Sequence, residues 1–353
     1  MKEFIEPSLV VELAVKRRAS DIHIVAGIPI RIRVDGKLAN LNEDVLTEDD
    51  CERYARALSR DYQSISRIGE EDLAILFPCG IRCRVNLFRQ QGTVSAALRI
   101  LNDHIPSFEE LGLPAEARRF TQFNQGIVLI TGETGSGKST TLACLLDIIN
   151  HTFPRHIITL EDPIEYVYKP DLCVINQREI GTDTRSYSDG LKSVLREDPD
   201  VILIGEMRHL DTIETALVAA ETGHLVFATL HTNSAADTVD RIVDAFPAGM
   251  QEQIRMQLSM TLQAVMCQEL VPHISGRGRV LATEVMFVNN AIRNLIREGK
   301  TPQIANAITT SAAEGSHLMD ADLIRLYRNR KISSQAAAAA SHDPAYVQRS
   351  TLF

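Results

Sequence analysis

No stretch of this 353-residue chain is apolar for anything near the roughly 20 residues that a membrane-spanning helix needs, so direct membrane insertion is not expected. The first seven residues, acidic and ending in Pro7, have neither the basic nor the apolar region of a signal peptide. Positive charge is not in excess: 37 Lys and Arg face 46 Asp and Glu, for a net charge of −9. That balance argues against a general attraction to nucleic acid or anionic lipid. No strip of interleaved aromatic and basic residues offers a single strand a place to stack, so no nucleic-acid partner is expected. Cysteine is sparse. The six thiols are scattered, and Cys79 and Cys83 have no second pair to complete a zinc site. They read as small buried apolar residues in a reducing cytoplasm. Internal repeats are absent too, and the one low-complexity run, residues 336–340, reads as a helix-forming alanine tract.

What is present is a globular composition, 44% hydrophobic and 24% charged, in a chain long enough for two domains. The organising stretch is the apolar run 127–131 followed by Gly132, Glu133, Thr134, Gly135, Ser136, Gly137, Lys138, Ser139 and Thr140. A buried strand, a glycine-rich turn and a helical pattern over 140–150 make the strand–GxxxxGK[ST]–helix arrangement that cradles phosphate. The glycines let successive N–H groups converge, and the helix adds its positive end. Lys138 suits the β and γ phosphates of a nucleoside triphosphate such as ATP, and the Ser139 hydroxyl suits Mg²⁺.

Before this stretch, residues 8–19 predict a short helix with Leu9, Val10, Leu13 and Val15 on one side. Period-two patterns at 21–24 and 30–34 close on an Asp35-Gly36 turn. Residues 47–68 predict one helix capped by Thr47, and 73–77, 81–88 and 93–101 predict a meander of strands. The result is a small α+β domain, residues 1–101, with no catalytic constellation of its own. Residues 102–114, with Pro106 and Pro114, read as a linker, and 115–123 as a helix. From 115 to 353, apolar strands at 127–131, 156–160, 201–204 and 225–230 alternate with helical segments. That pattern predicts an α/β fold with a mostly parallel sheet and helices on both faces.

Open α/β sheets hold ligands at the carboxyl ends of their strands, and three further strand ends here are polar. Residues 156–160 run into Glu161, Asp162 and Glu165, carboxylates suited to orienting or deprotonating an attacking water. Residues 200–206 resemble a Walker B strand in which Gly205 stands where an Asp is usual, leaving Glu206 as the acid beside Mg²⁺. His231 ends the fourth strand, where it could touch a γ-phosphate or sense its loss.

The phosphate loop, the acidic box 161–165, the atypical Walker B and the histidine box 224–231 together resemble the secretion ATPase superfamily, the motors of type II and type IV secretion and of type IV pili. The resemblance spans nearly the whole chain. It implies a PAS-like N-terminal domain, a RecA-like P-loop NTPase domain and a homohexamer in the cytoplasm at the inner face of the cytoplasmic membrane. There the ring would act on an inner-membrane pilus assembly platform protein, alongside a paralogous ATPase. Residues 291–300 are similar to the signature of the branch that retracts pili. In that helix, Ile292, Leu295 and Ile296 are expected to face the core, with Arg293, Arg297 and Lys300 forming a basic stripe.

Carried over by position, the resemblance makes Glu206 the Walker B acid and Glu165, with Glu161 as the other candidate, the water-activating residue. It also implies that Arg84 and Arg99 approach the nucleotide, although Arg82 and Arg89 lie near them on similar strands. Hydrolysis driving pilus retraction is the expected function. A paralogous, pilus-extension or type II secretion ATPase is the alternative within the family, and a RecA-type nucleic-acid motor or a non-hydrolysing scaffold lies outside it.

Overall fold

The computed structural model describes residues 4–34, 36–101 and 104–351, so Asp35 of the anticipated turn and Asn102 and Asp103 of the anticipated linker lie outside the described residues. Two compact units divide the chain: residues 1–104 with 163–167, and residues 105–162 with 168–353.

In the first unit, alternation sets the sheet. β1 (Ala19–Ile24) turns Ile22 and Ile24 inward, and β2 (Pro29–Val34) does the same with Ile30 and Ile32. With β3 (Lys37–Val45), β4 (Glu70–Leu76), β5 (Arg82–Gln90) and β6 (Thr93–Ile100) they form a six-stranded antiparallel sheet in the order β3-β2-β1-β6-β5-β4. Its buried side chains share one core with Val10, Val11 and Ala14 of helix Pro7–Lys16 and with Cys51, Tyr54, Ala55 and Leu58 of helix Glu48–Leu58. Of the anticipated stripe, Val10 is buried and Leu13 packs against the core, while Leu9 and Val15 are exposed and Val11 and Ala14 take the inward places.

The segment anticipated as one helix over 47–68 is two. Thr47 and Asp50 form a reciprocal capping box at its start. Glu71 then accepts from the Ser59 hydroxyl (2.5 Å) and the Arg60 N–H (3.2 Å), and Asp61 caps a new helix, Tyr62–Ile68. A carboxylate that captures both groups competes with the helical ladder and breaks it.

The second unit holds seven strands: β7 (Gly126–Thr131), β8 (His156–Glu161), β9 (Val174–Glu179), β10 (Val201–Ile204), β11 (Leu225–Leu230), β12 (Leu262–Pro272) and β13 (Arg279–Phe287). The order is β13-β12-β7-β11-β10-β8-β9, parallel except for the β12–β13 pair. The four apolar runs read from the sequence are β7, β8, β10 and β11, each buried on both faces as a parallel sheet requires. Residues 115–123 make a 3₁₀ helix, Ala115–Gln122, in place of the anticipated α-helix. The alanine tract is helical (Ser334–Ala339), with Ala337 and Ala338 buried. All six cysteines are free thiols, five of them buried, and burial pushes Cys83 and Cys144 up to about 12. Among the described residues no helix is long and apolar enough to cross a membrane.

Candidate nucleotide-binding site

β7 lies between β11 and β12, and the chain leaves its carboxyl end through residues 132–137 into helix Lys138–Thr152. Gly132 (φ 138°), Gly135 (83°) and Gly137 (91°) occupy backbone regions that disfavour side chains. Gly132 has a second constraint: a Cβ there would lie 2.3 Å from the Gln268 carbonyl oxygen. The loop is thus wrapped tightly over β12. Helix Lys138–Thr152 has no side-chain cap at its start, so its first N–H groups face the loop with the positive end of the helix dipole behind them. Lys138 is buried, its ammonium donating to the Gly132 (2.7 Å) and Glu133 (2.9 Å) carbonyls. Glu133, Thr134, Gly135 and Ser139 are exposed, Gly137 and Thr140 half-buried, and Ser136 buried.

The ends of β8, β10 and β11 come together in the same unit. Glu206 Oε1 lies 3.5 Å from His231 Nε2 and 3.5 Å from Arg208 Nε, too far for direct hydrogen bonds. Burial and the positive charge of Lys138 hold His231 below the ordinary imidazole range, although Glu206 pulls the other way. Both causes favour the neutral ring. Glu161 Oε1 accepts from the Thr159 hydroxyl (2.7 Å) and the Gln177 amide (3.2 Å), so that carboxylate is already held by its own strand and by β9.

Gly205 has a local reason. A Cβ at this position would stand 2.9 Å from the Tyr187 hydroxyl, 3.2 Å from the Leu160 carbonyl and 3.4 Å from Glu161 Cα. Any side chain at 205 would force a neighbour to shift, and the next carboxylate along the chain is Glu206. Burial raises the pKa of Tyr187, as do the charges of Asp162, Glu161 and Glu206 around it. Sequence reasoning missed this tyrosine, which no motif marks. It also missed Gln268 (2% exposed), whose only signal is that it follows directly on the apolar run 264–267 of β12.

The remaining candidates belong to the first unit. Arg84 and Arg99 are directly opposite each other on β5 and β6. Arg84 pairs with Asp72 (2.6 Å) and Arg99 with Asp21 (3.1 Å), giving an acid–base–base–acid row across four strands. Burial works against the charge on Asp21, but hydrogen bonds from Ser20 and Arg99 hold its carboxyl below the usual range. Glu165 is exposed and lies in residues 163–167, which group with this unit. The structure therefore gathers the loop, Glu161, Glu206 and His231 in one unit, and Arg84, Arg99 and Glu165 in the other.

A family model described as type II/IV secretion system protein matches residues 2–323. The chain belongs to that family of ATPases. It is 45% identical over 331 residues to the type IV pilus retraction ATPase PilT of Pseudomonas aeruginosa, covering 93% of this chain and 96% of that one. The type IV pilus ATPase PilU of the same organism is 36% identical over 329 residues, covering 93% and 86%. A crystal structure of the pilus retraction motor PilT with bound ADP superposes with a TM-score of 0.92 at 46% identity, covering 98% of this chain and 99% of the other. The mixed α/β fold anticipated from the sequence is the fold of this family.

Proposed function

We propose that this chain hydrolyses ATP as a homohexamer and uses the energy to retract a type IV pilus, acting on an inner-membrane assembly platform protein from the cytoplasmic side. The observation that carries the reading is the 45% identity to PilT across nearly the full length of both chains, against 36% to PilU. The working parts are a small α+β domain (1–101), a linker (102–114) and a RecA-like ATPase domain (115–353).

On this reading the loop 132–140 holds the triphosphate, with Lys138 neutralising the β and γ phosphates. Ser139 and Glu206 would hold Mg²⁺, which would offset the charge of the phosphates. One hydroxyl and one carboxylate are few ligands, but they suit an ion that keeps most of its water and takes the rest from phosphate. Among the described residues no group of three or more His, Cys, Asp and Glu competes for it. Glu165, exposed, is the preferred water-activating base over Glu161, whose carboxylate is engaged by Thr159 and Gln177. His231, 3.5 Å from Glu206, would sense the γ-phosphate. Arg84 and Arg99 supply charge stabilisation. Arg84's present partner, Asp72, is an exposed carboxylate, so exchanging that pair costs about 1 kcal/mol or less, while Arg99 leaves the half-buried Asp21.

The test is a paired measurement of ATP affinity and turnover. Lys138→Ala should lose both. Glu206→Gln and Glu165→Gln should keep binding and lose about 10²-fold or more in kcat. Wild-type turnover in both glutamate variants would remove the site assignment.

A further inference from the structure

Gln268 is a costly residue for its position. It lies in β12 among Ala264, Val265, Met266 and Cys267, all fully buried, and is itself 2% exposed. A buried amide is unfavourable unless its donor and acceptor are both satisfied. Here the Nε2 donates to the Ser136 carbonyl (2.9 Å), while Oε1 finds no partner. The Ser136 hydroxyl is buried without a partner as well. A methionine would fill the same volume at lower cost, so core stability does not explain the glutamine.

The hydrogen bond falls on the peptide between Ser136 and Gly137. In a trans peptide the C=O and the following N–H point in opposite directions. Pinning the Ser136 oxygen toward β12 therefore aims the Gly137 N–H away from β12. This peptide has little else to fix it. It joins Ser136 to Gly137 (φ 91°), and a glycine on one side allows the peptide to rotate at small cost. The Gln268 carbonyl also limits the loop from below at Gly132, so β12 acts as its floor.

We propose that Gln268 is a positioning residue for nucleotide phosphate: its amide locks the Ser136–Gly137 peptide in the orientation that presents the Gly137 N–H to the ligand. The proposal rests on the reading of residues 132–140 as a phosphate-binding loop and adds to it a residue more than a hundred positions away in sequence. Without the lock, the loop samples both peptide orientations and binds phosphate only in one. The energy of the lock then appears in nucleotide affinity, and turnover at saturation is largely kept.

Gln268→Met keeps the volume and removes the donor, and Gln268→Glu replaces the donor with an acceptor facing a carbonyl. Full-length variants are compared with wild type and Lys138→Ala for melting temperature without nucleotide, ADP and ATP affinity, and steady-state kinetics. Gln268→Met should melt within a few degrees of wild type. Its Kd for both nucleotides and its KM for ATP should rise about tenfold, with kcat reduced less than threefold. Gln268→Glu should bind more weakly still. Wild-type affinity in Gln268→Met overturns the proposal. So does loss of the fold in that variant, which would make Gln268 a packing residue. Equal nucleotide binding by wild type and Lys138→Ala would instead overturn the reading of the loop itself.

Discussion

Arg293 donates to the Ser259 carbonyl at 2.6 Å, and to the Met260 carbonyl (2.9 Å) and the Gln263 amide oxygen (3.2 Å) as well. A guanidinium on helix Asn290–Arg297 thus closes the carboxyl end of helix Ala248–Thr261, satisfying carbonyls that the helix cannot and sitting at its negative pole. Arg293→Ala should destabilise the protein by about 1–3 kcal/mol in urea unfolding, because it leaves half-buried carbonyls unpaired. Arg297, exposed one turn later, should cost under about 0.5 kcal/mol when replaced by Ala. Equal, small losses in both variants would contradict the capping role.

This arginine also shows where sequence reading ran out. Its spacing put it on one stripe with Arg297 and Lys300, and periodicity cannot tell a solvated side chain from one that reaches across to a neighbouring helix. The same pattern did place Ile292 and Ile296 in the core, with Leu295 half-buried. β7, β8, β10 and β11 were legible because a strand buried on both faces is a continuous apolar run. β9, an edge strand with Val174 exposed, has no such run and was missed, and so were β12 and β13, whose apolar residues are interrupted by Gln268, Glu269 and Glu284. The phosphate loop was legible because its glycines and Lys138 are adjacent in sequence. Gln268 and Tyr187 act from distant elements, and only the fold shows what they touch.

The pairing of Gly205 with Tyr187 makes a double-mutant prediction. Gly205→Ala should cost about 1–3 kcal/mol, because the new methyl meets the Tyr187 hydroxyl and the end of β8. Adding Tyr187→Phe should recover part of that loss, since the nearest of the three contacts is the hydroxyl. Thermal or urea unfolding of the two single variants and the double variant reads the coupling. Strict additivity would mean that the hydroxyl does not set the size limit at residue 205.

Arg84→Ala and Arg99→Ala separate a surface role from a functional one. Arg84→Ala loses one exposed ion pair, so its stability should change by under about 0.5 kcal/mol. ATP turnover by the assembled protein should fall by about 10-fold or more in each. If both variants melt and hydrolyse like wild type, the row is a solvated sheet face and no more.

Glu284 gives a pH prediction. It is 2% exposed and accepts from the Ala235 (2.7 Å) and Met319 (3.3 Å) N–H groups, joining the starts of two helices. Burial raises its pKa above the ordinary 4.5, outweighing those two donors. An acid whose folded pKa is raised contributes stability that is full below 4.5 and is lost as pH climbs through the folded value. Glu284→Gln cannot ionise, so the stability of the variant relative to wild type should improve steadily from about pH 4.5 upward. Paired urea titrations across that range measure it. A pH-independent difference would mean that Glu284 titrates normally.

The central claim is that ATP hydrolysis at this site pulls a pilus in, and twitching measures it most directly. The chain's own host, deleted for this protein, is complemented with wild type or with Glu206→Gln, and surface motility is scored together with piliation. Wild type should restore twitching and normal pilus numbers, while Glu206→Gln should leave cells heavily piliated and immobile although it binds ATP. Twitching restored equally by Glu206→Gln, or unaffected by the deletion itself, would contradict the account.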